Sequence, residues 1–142
     1  MKIGAPKESA RGEARVALTP ESAKHLQNLG HECLIETGAG LAAGFNDDTY
    51  RDAGVTVIES ADALWRDAEV VIKVREPSDE EAKRLREGQT LIAFFWPAQN
   101  EALLEACKAQ GATVIAMDMV PRISRAQKMD ALSSMANIAG YR

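Results

Sequence analysis

The stretch that most constrains the fold of this chain is a nearly continuous apolar run, Glu69-Val70-Val71-Ile72-Lys73-Val74. Strands of a parallel sheet that are covered on both faces have such runs, whereas strands with one solvent-exposed face alternate apolar and polar residues. Further strand-like runs alternate with helical patterns along the chain, and Gly or Pro lies at most of the junctions. This alternation predicts an α/β fold in which helices flank a mostly parallel sheet.

Local signals mark where these elements begin and end. Thr19-Pro20-Glu21 indicates a helix start, because Thr is a favoured N-cap and Pro is favoured in the first turn. That helix is predicted to carry Leu29 on its apolar face and to end at Gly30. Ser60 and Asn100 are the predicted N-caps of two later helices. The predicted strands cover residues 2–5, 33–35, 55–58, 69–74, 90–95 and 113–116, with helices between 19–30, 47–53, 61–65, 77–88 and 100–111.

Length and composition indicate one globular unit. The chain has 142 residues, 46% of them hydrophobic, and a net charge of −4. This charge does not suit nucleic-acid or anionic-membrane binding, which needs clustered Lys and Arg, and no apolar run approaches the roughly 20 residues that span a bilayer. Cys33 and Cys107 lie in periodic apolar segments, as reduced core thiols do. We therefore expect a cytoplasmic domain with no nucleic-acid partner and no direct membrane insertion.

A glycine cluster after the second predicted strand, Gly38 to Gly44, mimics a dinucleotide-binding fingerprint, with Glu59 ending the next strand about 20 residues further on. That fingerprint needs a helix that begins at the second glycine and directs its amides at a pyrophosphate. Here Gly44-Phe45-Asn46-Asp47-Asp48 interrupts any such helix after one turn and adds carboxylates where a phosphate would lie. We interpret the cluster as a tight turn that needs the conformational freedom of glycine, with cofactor binding as the alternative.

Two basic residues are candidates for a ligand crevice. Lys73 lies near the end of the buried strand and Arg15 in the loop after the first strand, so both are predicted at the same edge of the sheet. Ligands of open α/β sheets bind beyond this edge. Each side chain either serves such a site or extends into solvent, and both alternatives stay open. His25 and His31 lie apart from any cluster with metal-ligand spacing, so no metal site is predicted.

The polar loop from Arg122 to Asp130 follows the last predicted strand. Its arginines, glutamine, serine and aspartate can form bidentate and amide hydrogen bonds to a polar ligand. A structural alternative exists, because Ser124 and Gln127 have the spacing of a capping box. Asp130 alone would also make a good N-cap. An apolar stripe with helical spacing continues beyond either start.

Three motifs resemble the N-terminal domain of the alanine dehydrogenase/nicotinamide nucleotide transhydrogenase family. They are Lys7-Glu8 with Glu13-x-Arg15-Val16-Ala17, Phe95-Trp96-Pro97-Ala98-Gln99-Asn100, and Arg122-Ile123-Ser124-Arg125-Ala126-Gln127 with Asp130-Ala131-Leu132-Ser133-Ser134. The last two are similar to the transhydrogenase branch, and the resemblance covers essentially the whole chain. It implies a Rossmann- or flavodoxin-like lobe spanning residues 1–142 that lacks the dinucleotide fingerprint. The resemblance further implies that the final helix, about 130–142, is truncated and that the fingerprint-bearing NAD lobe is absent.

The resemblance also assigns the site. It places Gln127 in a loop over the nicotinamide end of NAD(H) and favours Asp130 as the helix start. Gln127 and Asp130 are the implied catalytic residues. The implied NAD(H)-binding residues are Arg122, Gln127, Lys128, Met129, Asp130, Ala131 and Ser133, with Arg15 and Lys73 as further possible site residues.

The implied activity is hydride transfer between NAD(H) and NADP(H), coupled to proton movement in separate membrane components. The expected partners are those membrane components and an NADP(H)-binding component, with a second copy of the chain in a homodimer. The expected location is the cytoplasmic side of the inner membrane, peripheral through the complex, and the isolated fragment is expected to be inactive. The alternative is an alanine dehydrogenase lobe with Arg15 and Lys73 on pyruvate. It needs an acid/base histidine where this chain reads Phe94-Phe95-Trp96-Pro97, and amine formation requires proton transfer. A third possibility is an inert binding or dimerisation lobe.

Overall fold

A computed structural model describes residues 1–121, 123–129 and 140 of the chain. It contains one six-stranded sheet with the order β3-β2-β1-β4-β5-β6, and every pairing in it is parallel. The predicted α/β fold with a parallel sheet is confirmed. The strands are β1 Lys2–Ala5, β2 Glu32–Glu36, β3 Thr56–Ile58, β4 Val70–Ile72, β5 Thr90–Ala93 and β6 Thr113–Ala116. The helices are α1 Pro20–Asn28, α2 Asp47–Asp52, α3 Ala61–Asp67, α4 Asp79–Arg84 and α5 Glu101–Ala109.

Helices cover both faces of the sheet, because the two core clusters use opposite sides of the same strand. Leu34 of β2 packs with Leu64 and Trp65 of α3 on one face. Its neighbours Cys33 and Ile35 belong to the cluster on the other face, which includes Ala23 of α1 and Tyr50 of α2. Successive side chains of a strand point to opposite faces, so β2 is buried on both. This double cover explains the uninterrupted apolar runs of the inner strands.

Most predicted helix starts are confirmed by their caps. The Thr19 hydroxyl accepts a hydrogen bond from the Ser22 amide, and the Ser60 hydroxyl accepts one from the Ala63 amide. Asn100 occupies the N-cap position of α5, but its side chain does not cap the helix. Its amide nitrogen instead donates to the Phe95 carbonyl at 2.9 Å, because the preceding turn offers carbonyl oxygens within reach.

The prediction for Leu29 was wrong. Helix α1 ends at Asn28, so Leu29 falls outside the helical period and its side chain is exposed. Both cysteines are free and buried, as predicted, and burial raises the pKa of each thiol. Within the described residues, every helix is too short or too polar to cross a membrane.

Candidate functional site

The reversal of strand order falls between β1 and β4, which pair at the centre of the sheet. Open α/β sheets bind ligands outside the carboxyl ends of the strands at such a reversal. The loops after β1 and β2 form a cleft of about 170 Å³ beside this reversal, on its β2 side, lined by residues 7–8, 13–15, 38–39 and 41–42. Arg15 lines the cleft directly. Lys73 does not line it, but its ammonium group contacts Glu8, which does. The structure thus brings both predicted basic residues to one sheet edge.

The alternative that Lys73 extends into solvent is wrong, whereas its role at a ligand crevice stays a prediction. Its side chain is 1% exposed and its ammonium group lies 3.3 Å from a Glu8 oxygen and 3.4 Å from a Glu81 oxygen. Glu8 also accepts hydrogen bonds from the Val74 and Arg75 amides, at 2.9 and 3.1 Å. The lysine charge therefore holds the β1 loop and α4 against the end of β4, and does not extend into solvent.

Arg15 is held by a carboxylate of its own loop. Its Nε and Nη2 atoms donate to the two oxygens of Glu13 at 2.9 and 2.7 Å, and Arg75 Nε donates to the same carboxylate at 3.1 Å. These bonds, that from Arg15 above all, lower the pKa of Glu13 to about 2. The same pairing raises the pKa of Arg15. The Arg15 side chain remains 52% exposed at the cleft.

The glycine cluster forms a turn, as predicted. Gly38 has φ +75° and its amide donates to the Asp47 carboxylate at 2.9 Å. The Thr37 hydroxyl donates to the same carboxylate at 2.6 Å, and these bonds lower the pKa of Asp47. A single 3-10 turn, Leu41–Ala43, follows in place of an α-helix. A phosphate-binding loop would offer such an amide to its ligand. Here the Gly38 amide is already bonded to a carboxylate of the chain itself.

A second feature of the same sheet edge lies at the ends of β5 and β6. The Asp118 carboxylate accepts hydrogen bonds from the amides of Phe95 at 2.6 Å and Trp96 at 3.1 Å. Trp96 has φ +54° and is 47% exposed. Sequence reasoning missed Asp118 and Trp96 as site candidates. The sequence signals were position, since each follows closely on the end of a predicted strand, and for Trp96 its place in a motif that carries the family resemblance.

The predicted cofactor loop is partly described. Gln127, Lys128 and Met129 lie in a 3-10 helix, Ser124–Met129, inside the segment that was predicted as a loop. This helix is anchored by Ala126, which is buried and donates its amide to the Ile123 carbonyl. Lys128 and Met129 are exposed. The predicted residues Arg122, Asp130, Ala131 and Ser133, and the final helix, lie outside the described residues.

The strand order, the parallel pairing and the helices on both faces define a Rossmann-like α/β lobe in which the glycine turn does not have the geometry of a dinucleotide fingerprint. A family model described as "Alanine dehydrogenase/PNT, N-terminal domain" matches residues 4–139. The chain belongs to that family.

Relatives with both activities of the family are similar to this chain over nearly its whole length. It is 71% identical to the NAD(P) transhydrogenase subunit alpha of Cereibacter sphaeroides, over 100% of this chain and 27% of that protein. It is 41% identical to the alanine dehydrogenase of Bacillus subtilis, over 99% of this chain and 36% of that protein. This chain is also similar to the crystal structure of transhydrogenase from Sinorhizobium meliloti, with a TM-score of 0.92 and 42% identity. The match covers 99% of this chain and 42% of the chain in that structure. The chain thus spans well under half the length of these relatives.

Proposed function

We propose that this chain is the N-terminal lobe of the NAD(H)-binding component of a proton-translocating NAD(P) transhydrogenase. The observation that carries the proposal is the 71% identity to a transhydrogenase alpha subunit over every residue of the chain. Identity to an alanine dehydrogenase is much lower, at 41%. A second, fingerprint-bearing lobe is proposed to follow in the longer protein, since the relative is almost four times as long as this chain.

In this proposal the NAD(H) contacts of the lobe come from the segment that leaves β6. When bound, NAD(H) supplies the hydride that reduces NADP⁺, and no proton donor is required. The protein must instead fix ring orientation and distance, where an error near 1 Å costs about 100-fold in rate. Gln127 and Asp130 are proposed to orient the reacting ring. Arg122, Lys128, Met129, Ala131 and Ser133 are proposed to line the same site, with hydrogen bonds to the carboxamide and ribose from the polar side chains.

Arg15 and Lys73 are proposed to organise the lobe. The support is that the Lys73 charge is matched by two buried carboxylates and Arg15 is paired with Glu13 in a fork geometry. An alanine dehydrogenase would use both cations on its substrate. The resemblance implies that an alanine dehydrogenase would also need an acid/base histidine after β5, where this chain reads Phe94-Phe95-Trp96-Pro97.

The remaining partners follow from the same proposal. The longer protein is expected to form a homodimer and to bind the membrane components and the NADP(H)-binding component of the enzyme. The lobe would then lie on the cytoplasmic side, peripheral to the inner membrane through that complex.

The test is hydride transfer in the intact complex, measured as NADH-dependent reduction of an NADP⁺ analogue. Gln127→Ala and Asp130→Asn should each lower the rate at least tenfold with an unchanged melting temperature. The matched control is Gln110→Ala, on the exposed C-cap of α5. Normal transfer in both loop variants would sink the site assignment. Robust alanine formation from pyruvate, ammonium and NADH would instead favour an alanine dehydrogenase.

A further inference from the structure

The two tryptophans of the chain are in opposite environments. Trp65 of α3 is 1% exposed and packs in the core, whereas Trp96 is 47% exposed at the end of β5. Across the described residues, Trp96 is also the one non-glycine residue with a positive φ, at +54°. A bulky side chain in that conformation costs about 1–2 kcal/mol, because Cβ approaches the following carbonyl oxygen. A glycine would adopt the same φ without strain.

The turn around Trp96 is held by contacts on both sides. Asp118 accepts from the amides of Phe95 and Trp96, while the Trp96 carbonyl accepts from the amides of Gln99 and Asn100 at 3.0 and 3.1 Å. Phe95 is fully buried in the core cluster, so the chain is fixed immediately before the tryptophan. Strained residues persist where surrounding structure imposes the conformation, and they concentrate at functional sites.

The indole also lies where the proposed cofactor segment leaves the sheet. Strands β5 and β6 are paired at their ends, Ala93 with Ala116, and the tryptophan follows β5 by three residues. Asp118 follows β6 by two residues and begins the path to the 3-10 helix Ser124–Met129. Exposed apolar side chains accompany this path, namely Met119, Ile123 and Met129. Tryptophan is enriched at binding surfaces, so an exposed indole at this point is a candidate ligand contact.

We propose that Trp96 is a cofactor-contacting residue whose indole face packs against the planar nicotinamide ring of NAD(H). This inference rests on the proposed function and adds a residue outside the loop that the resemblance assigns. The polar groups of the loop would bind the carboxamide and ribose, and the indole would supply the apolar surface that excludes water from the ring. Asp118 holds the strained turn that presents the indole.

The experiment measures NADH affinity by calorimetry on the intact protein for Trp96→Gly, Trp96→Phe and Trp96→Asn. Gly relieves the φ strain, so Trp96→Gly should melt within a few degrees of wild type while NADH affinity falls about tenfold or more. Trp96→Phe keeps an aromatic face and should retain affinity within about threefold. Asn adopts a positive φ more readily than Phe, so backbone strain cannot make Trp96→Asn bind NADH more weakly than Trp96→Phe. Their difference in affinity therefore reports on the ring face even if Trp96→Gly fails to fold.

The outcomes separate this inference from the proposed function. If wild-type protein neither binds NADH nor transfers hydride, the proposed function fails. If the wild type does both and the Gly and Asn variants bind NADH normally, only the Trp96 inference fails. If NADH affinity is unchanged but binding of the NADP(H) component weakens, the indole contacts that component, and the cofactor contact is likewise overturned.

Discussion

Two regions at the same edge of the sheet differ in how their side chains are satisfied. We call Glu8, Glu13, Arg15, Lys73 and Arg75 the switch-point cluster. Each of these five charges has a partner of opposite sign within the lobe. At the β5–β6 end, Trp96 and Met119 are exposed and the backbone at Trp96 is strained. Charges that are paired within the lobe stabilise a fold, whereas exposed apolar groups on a strained turn are available to a partner. We therefore propose that the first region organises the lobe and that the second contacts a ligand.

The largest effect expected from this comparison is on stability at the switch-point cluster. Lys73→Met leaves the Glu8 and Glu81 carboxylates buried without their cation. Breaking a buried pair in this way costs about 3–5 kcal/mol in the free energy of unfolding, measured by urea denaturation of the intact protein. Lys83→Met, on the exposed face of α4, is the matched control and should change stability by less than about 0.5 kcal/mol. Equal stability of wild type and Lys73→Met would show that the lysine is not part of the framework.

A smaller effect is expected from the acid titration of Glu13. Its folded pKa of about 2 lies below the ordinary pKa of 4.5 for this carboxyl, so its stabilising contribution is complete above pH 4.5 and is lost as pH falls to 2. Glu13→Gln should therefore be less stable than wild type at neutral pH, by about 1–2 kcal/mol once solvent screening at half-exposed Arg15 is allowed for.

That stability difference should shrink between pH 4.5 and pH 2, measured by urea denaturation across this range. Glu105→Gln, on the exposed face of α5, serves as the control and should show no such pH dependence of the difference. A difference between wild type and Glu13→Gln that stays constant down to pH 2 would contradict the pairing with Arg15.

Periodicity and punctuation were sufficient to predict the fold. The apolar run around Val71, the Thr19 cap and the glycine stops are local signals, and each strand lies close to its predicted position. The glycine turn was also predictable, because Asp47 and Asp48 follow it directly in the sequence. Two predictions about single side chains were wrong, namely the capping role of Asn100 and the burial of Leu29. The side-chain amide of Asn100 donates to the Phe95 carbonyl in the preceding turn, and Leu29 lies just past the end of its helix.

The site was less predictable because its contacts join residues that are distant in the sequence. Lys73 meets Glu8 across 65 residues, and Asp118 meets Phe95 across 23. These contacts depend on the strand order and register, which no local pattern specifies. The resemblance to a family supplied Gln127 and Asp130 as site residues, and their roles stay predictions. Trp96 was part of a motif that carries the resemblance, but it became a candidate contact through its backbone conformation and the exposure of its side chain.

Amide hydrogen exchange of the intact protein, with and without saturating NADH, tests most directly which region meets the cofactor. Amides that become covered by a ligand exchange more slowly, so the ligand contacts appear as protected segments. Our account predicts added protection at residues 95–100 and 124–129 and unchanged exchange at residues 38–44. Protection at residues 38–44 with none at 124–129 would contradict it and return cofactor binding to the glycine turn.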